Sequence, residues 1–358
     1  MEHAYKFLAS RLDELPNGFP PTEDGVELRL LEKLFMPEEA ELAARLRLTL
    51  ETSDQVAERL GEEPTELRDR LKTMARKGLI AAGRVEGGVG YGLLPFVVGI
   101  YELHGDRIDA ELARLFEDYF LQAFGKTLEV EPAVHRVIPV GESVRMDIEI
   151  QPYESAAEIV ENAQAWGVLD CICRKQKALV GEPCDHPLDV CLTFSQKPGA
   201  FEGSQMVRSL SREGALETLQ RAARAGLVHS VSNNRHGMSY ICNCCTCSCG
   251  VLRGLADLGI ANVVARSAFV NTVDETLCIA CEDCMAACQF GAISMGDLVV
   301  TIDEMRCVGC GVCALACTEQ ALSLVRRPVE QVKPIPENEL DWMRQRAAAR
   351  GLDLELVS

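Results

Sequence analysis

Seventeen cysteines occur in this 358-residue chain, and none precedes Cys171. Eight of them repeat one spacing near the C-terminus. Cys278, Cys281, Cys284 and Cys288 form C-x2-C-x2-C-x3-C, and Cys307, Cys310, Cys313 and Cys317 form it again 29 residues later. Thiolates so spaced suit a pair of [4Fe–4S] cubanes, the fourth cysteine of each run reaching the other cluster. Such centres move electrons. Zinc is the competing chemistry, but zinc seldom needs eight thiolates in two interleaved runs. A secreted disulfide framework would suit a far shorter chain with cysteines spread along it.

The residues between these ligands are small: Ala280, Ala286, Ala287, Gly309, Gly311, Ala314 and Ala316. A cubane packed against backbone leaves room for little else, and amide N–H groups must reach its sulfurs. Over about residues 272–326 the chain resembles the bacterial two-cluster ferredoxins. The resemblance implies one cubane on Cys278, Cys281, Cys284 and Cys317 and a second on Cys307, Cys310, Cys313 and Cys288. It also exposes a departure. Proline usually follows the fourth cysteine of each run, whereas here Gln289 and Thr318 stand there.

The other nine cysteines follow no ferredoxin spacing. Cys171, Cys173, Cys184 and Cys191 are enough for one cubane or one zinc ion. Cys242, Cys244, Cys245, Cys247 and Cys249 are one more than a cubane needs. Alternate residues of a strand face opposite ways, so a strand cannot aim Cys244 and Cys245 at one metal, and a turn is expected there. The two groups can also share ligands, and their division is left open. One or two further [4Fe–4S] clusters are expected on these nine. Arg174 is placed either against cluster sulfur or in solvent; Lys175 and Lys177 are placed in solvent. His186 and His229 are expected near a metal or at the surface rather than as ligands. The pattern C-x-C-R, two later cysteines and then N-C-C-x-C-x-C is similar to an uncharacterised class of iron–sulfur proteins of anaerobic bacteria, a likeness that implies no substrate.

Elements must hold these residues. Leu28, Leu31, Leu34 and Phe35 have helical spacing, and Pro37 opens a further helical segment. Thr52 or Ser53 is placed to cap a helix that Gly61 ends. Pro64 opens another, with Leu67, Leu71 and Met74 on one face and Gly78 at its end. A Gly-rich hairpin follows. Over about 25–95 this order resembles the winged-helix fold of bacterial regulators. Farther on, a helix is predicted over 106–125, strand over 134–151, helix over 154–168 and 211–226, strand over Leu227–Val231, and a short surface helix at about 338–350. The fold class is α+β: a winged-helix-like domain (1–100), a central Cys-rich domain (101–270), a ferredoxin-like dicluster domain (271–327) and a tail (328–358).

The net charge of −18 disfavours general nucleic-acid binding, which depends on Lys and Arg at phosphates. The segment 65–78 has a local excess of +3, yet acids outnumber bases 18 to 13 over residues 1–100. Nucleic acid is thus a secondary partner class, behind protein redox partners. No apolar run reaches the roughly 18–20 residues that span a bilayer, and the first residues lack the pattern of a secretory signal, so a cytoplasmic location is expected. No dinucleotide, P-loop or H-E-x-x-H fingerprint occurs, and no catalytic residue is assigned. The expected role is electron relay through several [4Fe–4S] clusters, as a subunit or partner of a larger oxidoreductase. The alternative is a redox-sensing transcription regulator that uses the winged helix.

Overall fold

The computed structural model describes residues 2–204, 206–260 and 262–354, and the chain forms two compact units. One holds the residues up to Val130, Leu179–Gly181 and the chain from Met343 onward; the other holds Glu131–Ala178 and Glu182–Trp342. The chain is α+β. Among the described residues no helix is long and apolar enough to cross a membrane.

The first unit begins with helices Glu2–Asp13, Val26–Leu34 and Pro37–Ala44. Strand β1 (Glu51–Thr52) leads into helix Ser53–Leu60, where a capping box forms: the Thr52 hydroxyl accepts from Gln55 N, and the Gln55 amide oxygen accepts from Thr52 N. Gly61, left-handed at φ 68°, ends that helix. Pro64 starts the next, Pro64–Arg76, which buries Leu67, Leu71 and Met74. Strands β2 (Ala81–Val85) and β3 (Gly88–Gly92) pair as a hairpin, and β1 joins to give the antiparallel order β1-β3-β2. Residues 101–130 belong to this unit rather than to the cysteine-rich part, because aromatic packing holds them. Tyr101 stacks on Phe116 at 3.8 Å, and Phe19 lies 4.8 Å from both Phe96 and Tyr119. The C-terminal helix Glu339–Ala349 is not the surface appendage expected of it. Arg346 is fully buried and donates to the carbonyls of Pro16, Thr127 and Val130.

The second unit is built on a six-stranded antiparallel sheet: β4 (His135–Val137), β5 (Ala165–Leu169), β6 (Cys191–Ser195), β7 (Arg208–Leu210), β8 (Val228–Ser232) and β9 (Tyr240–Cys244), in the order β4-β8-β9-β6-β5-β7. Helices Ala156–Glu161 and Arg212–Arg224 cover one face through Ile159, Val160, Ala215 and Leu219 against Val168, Leu192, Phe194, Val231 and Ile241. Two expectations fail in this region. The strand predicted over 134–151 survives only as β4; beyond it Val144, Ile148 and Ile150 pack on Phe269 and Leu324 without a ladder. The helix predicted over 154–168 stops at Glu161 and is replaced by β5. There Gly167 pairs with Thr193 and Ser209 in the sheet, and an added Cβ would lie 2.2 Å from a Val207 methyl, so pairing overrides the helical pattern.

Candidate metal centres

The C-terminal part of this unit consists of two antiparallel pairs, β10 (Phe269–Val273) with β13 (Leu322–Arg326) and β11 (Ile293–Met295) with β12 (Val300–Ile302). Two short helices, Asp283–Ala287 and Val312–Ala316, lie between them. The 29-residue repeat recurs in the backbone. Left-handed residues stand in register at Ala280 and Gly309, at Glu282 and Gly311, and at Gly291 and Gln320. At the non-glycine positions this conformation carries a cost of about 1 kcal/mol or more, tolerated where a site is being shaped. At Gly309 and Gly311 a side chain has no room. A Cβ on Gly309 would meet the Phe269 carbonyl at 2.1 Å, and one on Gly311 would meet Ser143 Oγ at 1.9 Å.

The eight cysteines line two separate cavities. Cys278, Cys281, Cys284 and Cys317 line one cavity, and Cys288, Cys307, Cys310 and Cys313 line another. Backbone amides are aimed at sulfur in both repeats: Ala292 N donates to Cys288 Sγ and Ala321 N to Cys317 Sγ, each at 3.3 Å. The Asn271 amide donates to Cys313 Sγ at 3.1 Å. Burial pushes the Cys310 thiol up to about 12 and raises Cys313 as well. Bare thiolates are therefore disfavoured in the second cavity, and a cationic iron core is what would hold them ionised.

The upstream cysteines mix the two sequence groups. Leu192 and Ile241 are opposed across β6 and β9 and face the helices. Cys191, Cys242 and Cys244 therefore share the other face. Cys171 and Cys173, at the start of helix Ile172–Leu179, and Cys249, just before helix Gly250–Ala256, complete a ring. Its sulfurs contact in the order Cys171, Cys173, Cys249, Cys244, Cys242, Cys191 and back to Cys171. The turn expected after Cys244 occurs and sends Cys245 elsewhere.

Cys245 joins Cys184, His186 and Cys247 in a second group whose donor atoms all lie within 4.8 Å of one another. His186 was not expected as a ligand; its signal was the C-x-H spacing with Cys184, which mirrors C-x-C at 245 and 247. Arg174 is buried beside these sulfurs, donating to the Asn243 carbonyl at 3.1 Å and to Cys245 Sγ at 3.6 Å. His229 stands apart on the helix-covered face, hydrogen-bonded to the Asn243 side chain, and burial lowers it to about 4. Lys177, expected in solvent, is buried and paired with Glu182 at 2.6 Å, and Lys175 pairs with Asp170 at 2.9 Å.

One contact explains the departure at Gln289. Its side-chain oxygen accepts from Thr246 N at 2.7 Å, and its amide donates to the Gly226 carbonyl. Proline could do neither. The residue after the fourth cysteine of the first run thus grips the turn that carries Cys245 and Cys247.

Residues 277–321 match the family described as the 4Fe-4S dicluster domain. No curated protein and no solved structure matches the chain significantly. With two thiol-lined cavities inside the matched segment, this is an iron–sulfur electron-transfer protein that carries [4Fe–4S] cofactors in a C-terminal dicluster domain.

Proposed function

We propose that the chain is a relay of three [4Fe–4S] centres within one compact unit, serving as a subunit or partner of a larger oxidoreductase. The ligand sets are Cys278, Cys281, Cys284 and Cys317 for the first centre and Cys288, Cys307, Cys310 and Cys313 for the second. Four of the six ring thiols, from Cys171, Cys173, Cys191, Cys242, Cys244 and Cys249, hold the third. Each passes one electron at a time, and no bond is made or broken.

The observation that carries this proposal is the Gln289 clamp. It ties Cys288, in the second set, to the turn between Cys244 and Cys249, in the third, through one side chain. That continuity supports the order ring, second centre, first centre. Exposure supports the first centre as the outer end: Ile279, in its wall, is 66 % exposed and Cys281 is exposed, whereas Cys307 and Cys313 are buried. Anaerobic purification with iron counting and EPR tests the assignment. Three separately reducible centres are expected, and two would refute it.

The N-terminal unit is read as winged-helix-like, in domains 1–100, and as a docking element rather than a DNA reader. Three of the five cations in residues 65–78 are engaged within the unit. Arg68 pairs with Asp54, Arg70 with Glu62 and Lys77 with Glu39. A duplex would have to displace these acids before meeting the bases. Salt-dependent binding of a specific duplex would favour the regulator instead.

A further inference from the structure

We propose that Cys184, His186, Cys245 and Cys247 hold a single divalent zinc-class ion, chemically distinct from the iron–sulfur centres. This does not depend on the relay. Geometry separates it from a cluster site. The dicluster cysteines line two open cavities, and neither set of four closes to within 4.8 Å. These four donors converge on a point, and among the described residues theirs is the one group of metal-ligating side chains that closes to within 4.8 Å. Zn–S and Zn–N bonds of about 2.3 and 2.0–2.1 Å in a tetrahedron place nitrogen about 3.6 Å from sulfur. His186 Nδ1 lies 3.7 Å from Cys247 Sγ.

Charge and surroundings agree with this assignment. Three thiolates and a neutral imidazole around a dication leave one negative charge, and the buried Arg174 guanidinium stands 3.6 Å from Cys245 Sγ to meet it. Ser248 Oγ lies 3.4 Å from Cys184 Sγ and donates to Cys247 Sγ at 3.9 Å, the outer contacts that orient thiolate ligands. The four ligands come as two short pairs, C-x-H before β6 and C-x-C after β9, so one ion crosslinks two loops. The second loop presents Thr246 N to Gln289. The ion therefore stiffens the platform on which the dicluster domain is held.

The test uses the full chain, purified anaerobically, with zinc and iron counted per polypeptide for wild type, Cys247→Ser, His186→Ala and, as a control, Cys281→Ser. Wild type should carry about one zinc beside its iron, one ion per four-ligand site. Cys247→Ser and His186→Ala should lose the zinc and keep the iron, while Cys281→Ser should keep the zinc. Growth with cobalt in place of zinc should give the visible bands of tetrahedral thiolate-bound Co(II) in wild type alone. Wild type without zinc or cobalt at this site would overturn the proposal. So would iron that falls by about four per chain, one cubane's worth, in Cys247→Ser. Because the wild-type counts and cobalt spectrum decide on their own, a variant that fails to fold leaves the outcome readable.

Discussion

Replacing Gln289 with alanine removes the clamp and nothing that ligates iron. Two hydrogen bonds go, one from Thr246 N at 2.7 Å and one to the Gly226 carbonyl. Each contributes about 1 kcal/mol net, and a buried partner left unpaired costs about 1–3 kcal/mol. Gln289 and Thr246 are both half-buried, so water partly replaces the lost partners. An opening free energy lower by about 2 kcal/mol is the expected sum. Since every 1.4 kcal/mol is tenfold, the Thr246 amide should exchange its hydrogen about 30-fold faster in Gln289→Ala. Native-state hydrogen exchange resolved at that amide is the assay, with iron content unchanged. Gln289→Glu sharpens it. A carboxylate still accepts from Thr246 N but cannot donate to Gly226, so Thr246 should stay protected. Exchange at Thr246 within threefold of wild type in the alanine variant would refute the clamp.

Asn271→Leu deletes the N–H···S bond to Cys313 at 3.1 Å. Such bonds favour the reduced, more negative cluster, so the potential of the second centre should fall by about 40 mV, the equivalent of about 1 kcal/mol, as read by EPR-monitored redox titration. Arg346→Leu leaves the carbonyls of Pro16, Thr127 and Val130 without their buried donor and should destabilise the N-terminal unit by about 3 kcal/mol in denaturant melts. Burial lowers His135 from an ordinary 6.5 to about 4, and among the described residues neither ring nitrogen has a partner. The unfolded chain takes up this proton near pH 6.5 and the folded chain only near pH 4. Stability is therefore full above 6.5 and lost as pH falls toward 4, by about 2 kcal/mol at pH 5. His135→Phe should flatten that fall in melts compared at pH 7 and pH 5.

Local rules were legible where residues act on near neighbours. The 29-residue cysteine repeat is a repeat of left-handed backbone positions, Thr52 caps the helix that Gly61 ends, and strand parity separates Cys244 from Cys245. What needed tertiary information was less visible. Nothing local assigns Cys249 to a ring with Cys173, since the two meet only after β6 and β9 pair. His186 is a ligand candidate only because two loops converge. The periodicity over 154–168 does not register that Gly167 pairs with Thr193 and Ser209 in a sheet. In the sequence Gln289 is only a missing proline, because its partners lie 63 and 43 residues away along the chain.

The proposed ring of Cys171, Cys173, Cys191, Cys242, Cys244 and Cys249 would hold a redox centre in addition to the two of the dicluster domain. Iron counted on anaerobically purified full-length chain, with EPR spin quantification on reduction, tests it most directly. About 12 iron atoms and three reducible clusters are expected. About 8 iron atoms, with the six ring thiols open to alkylation, would contradict it.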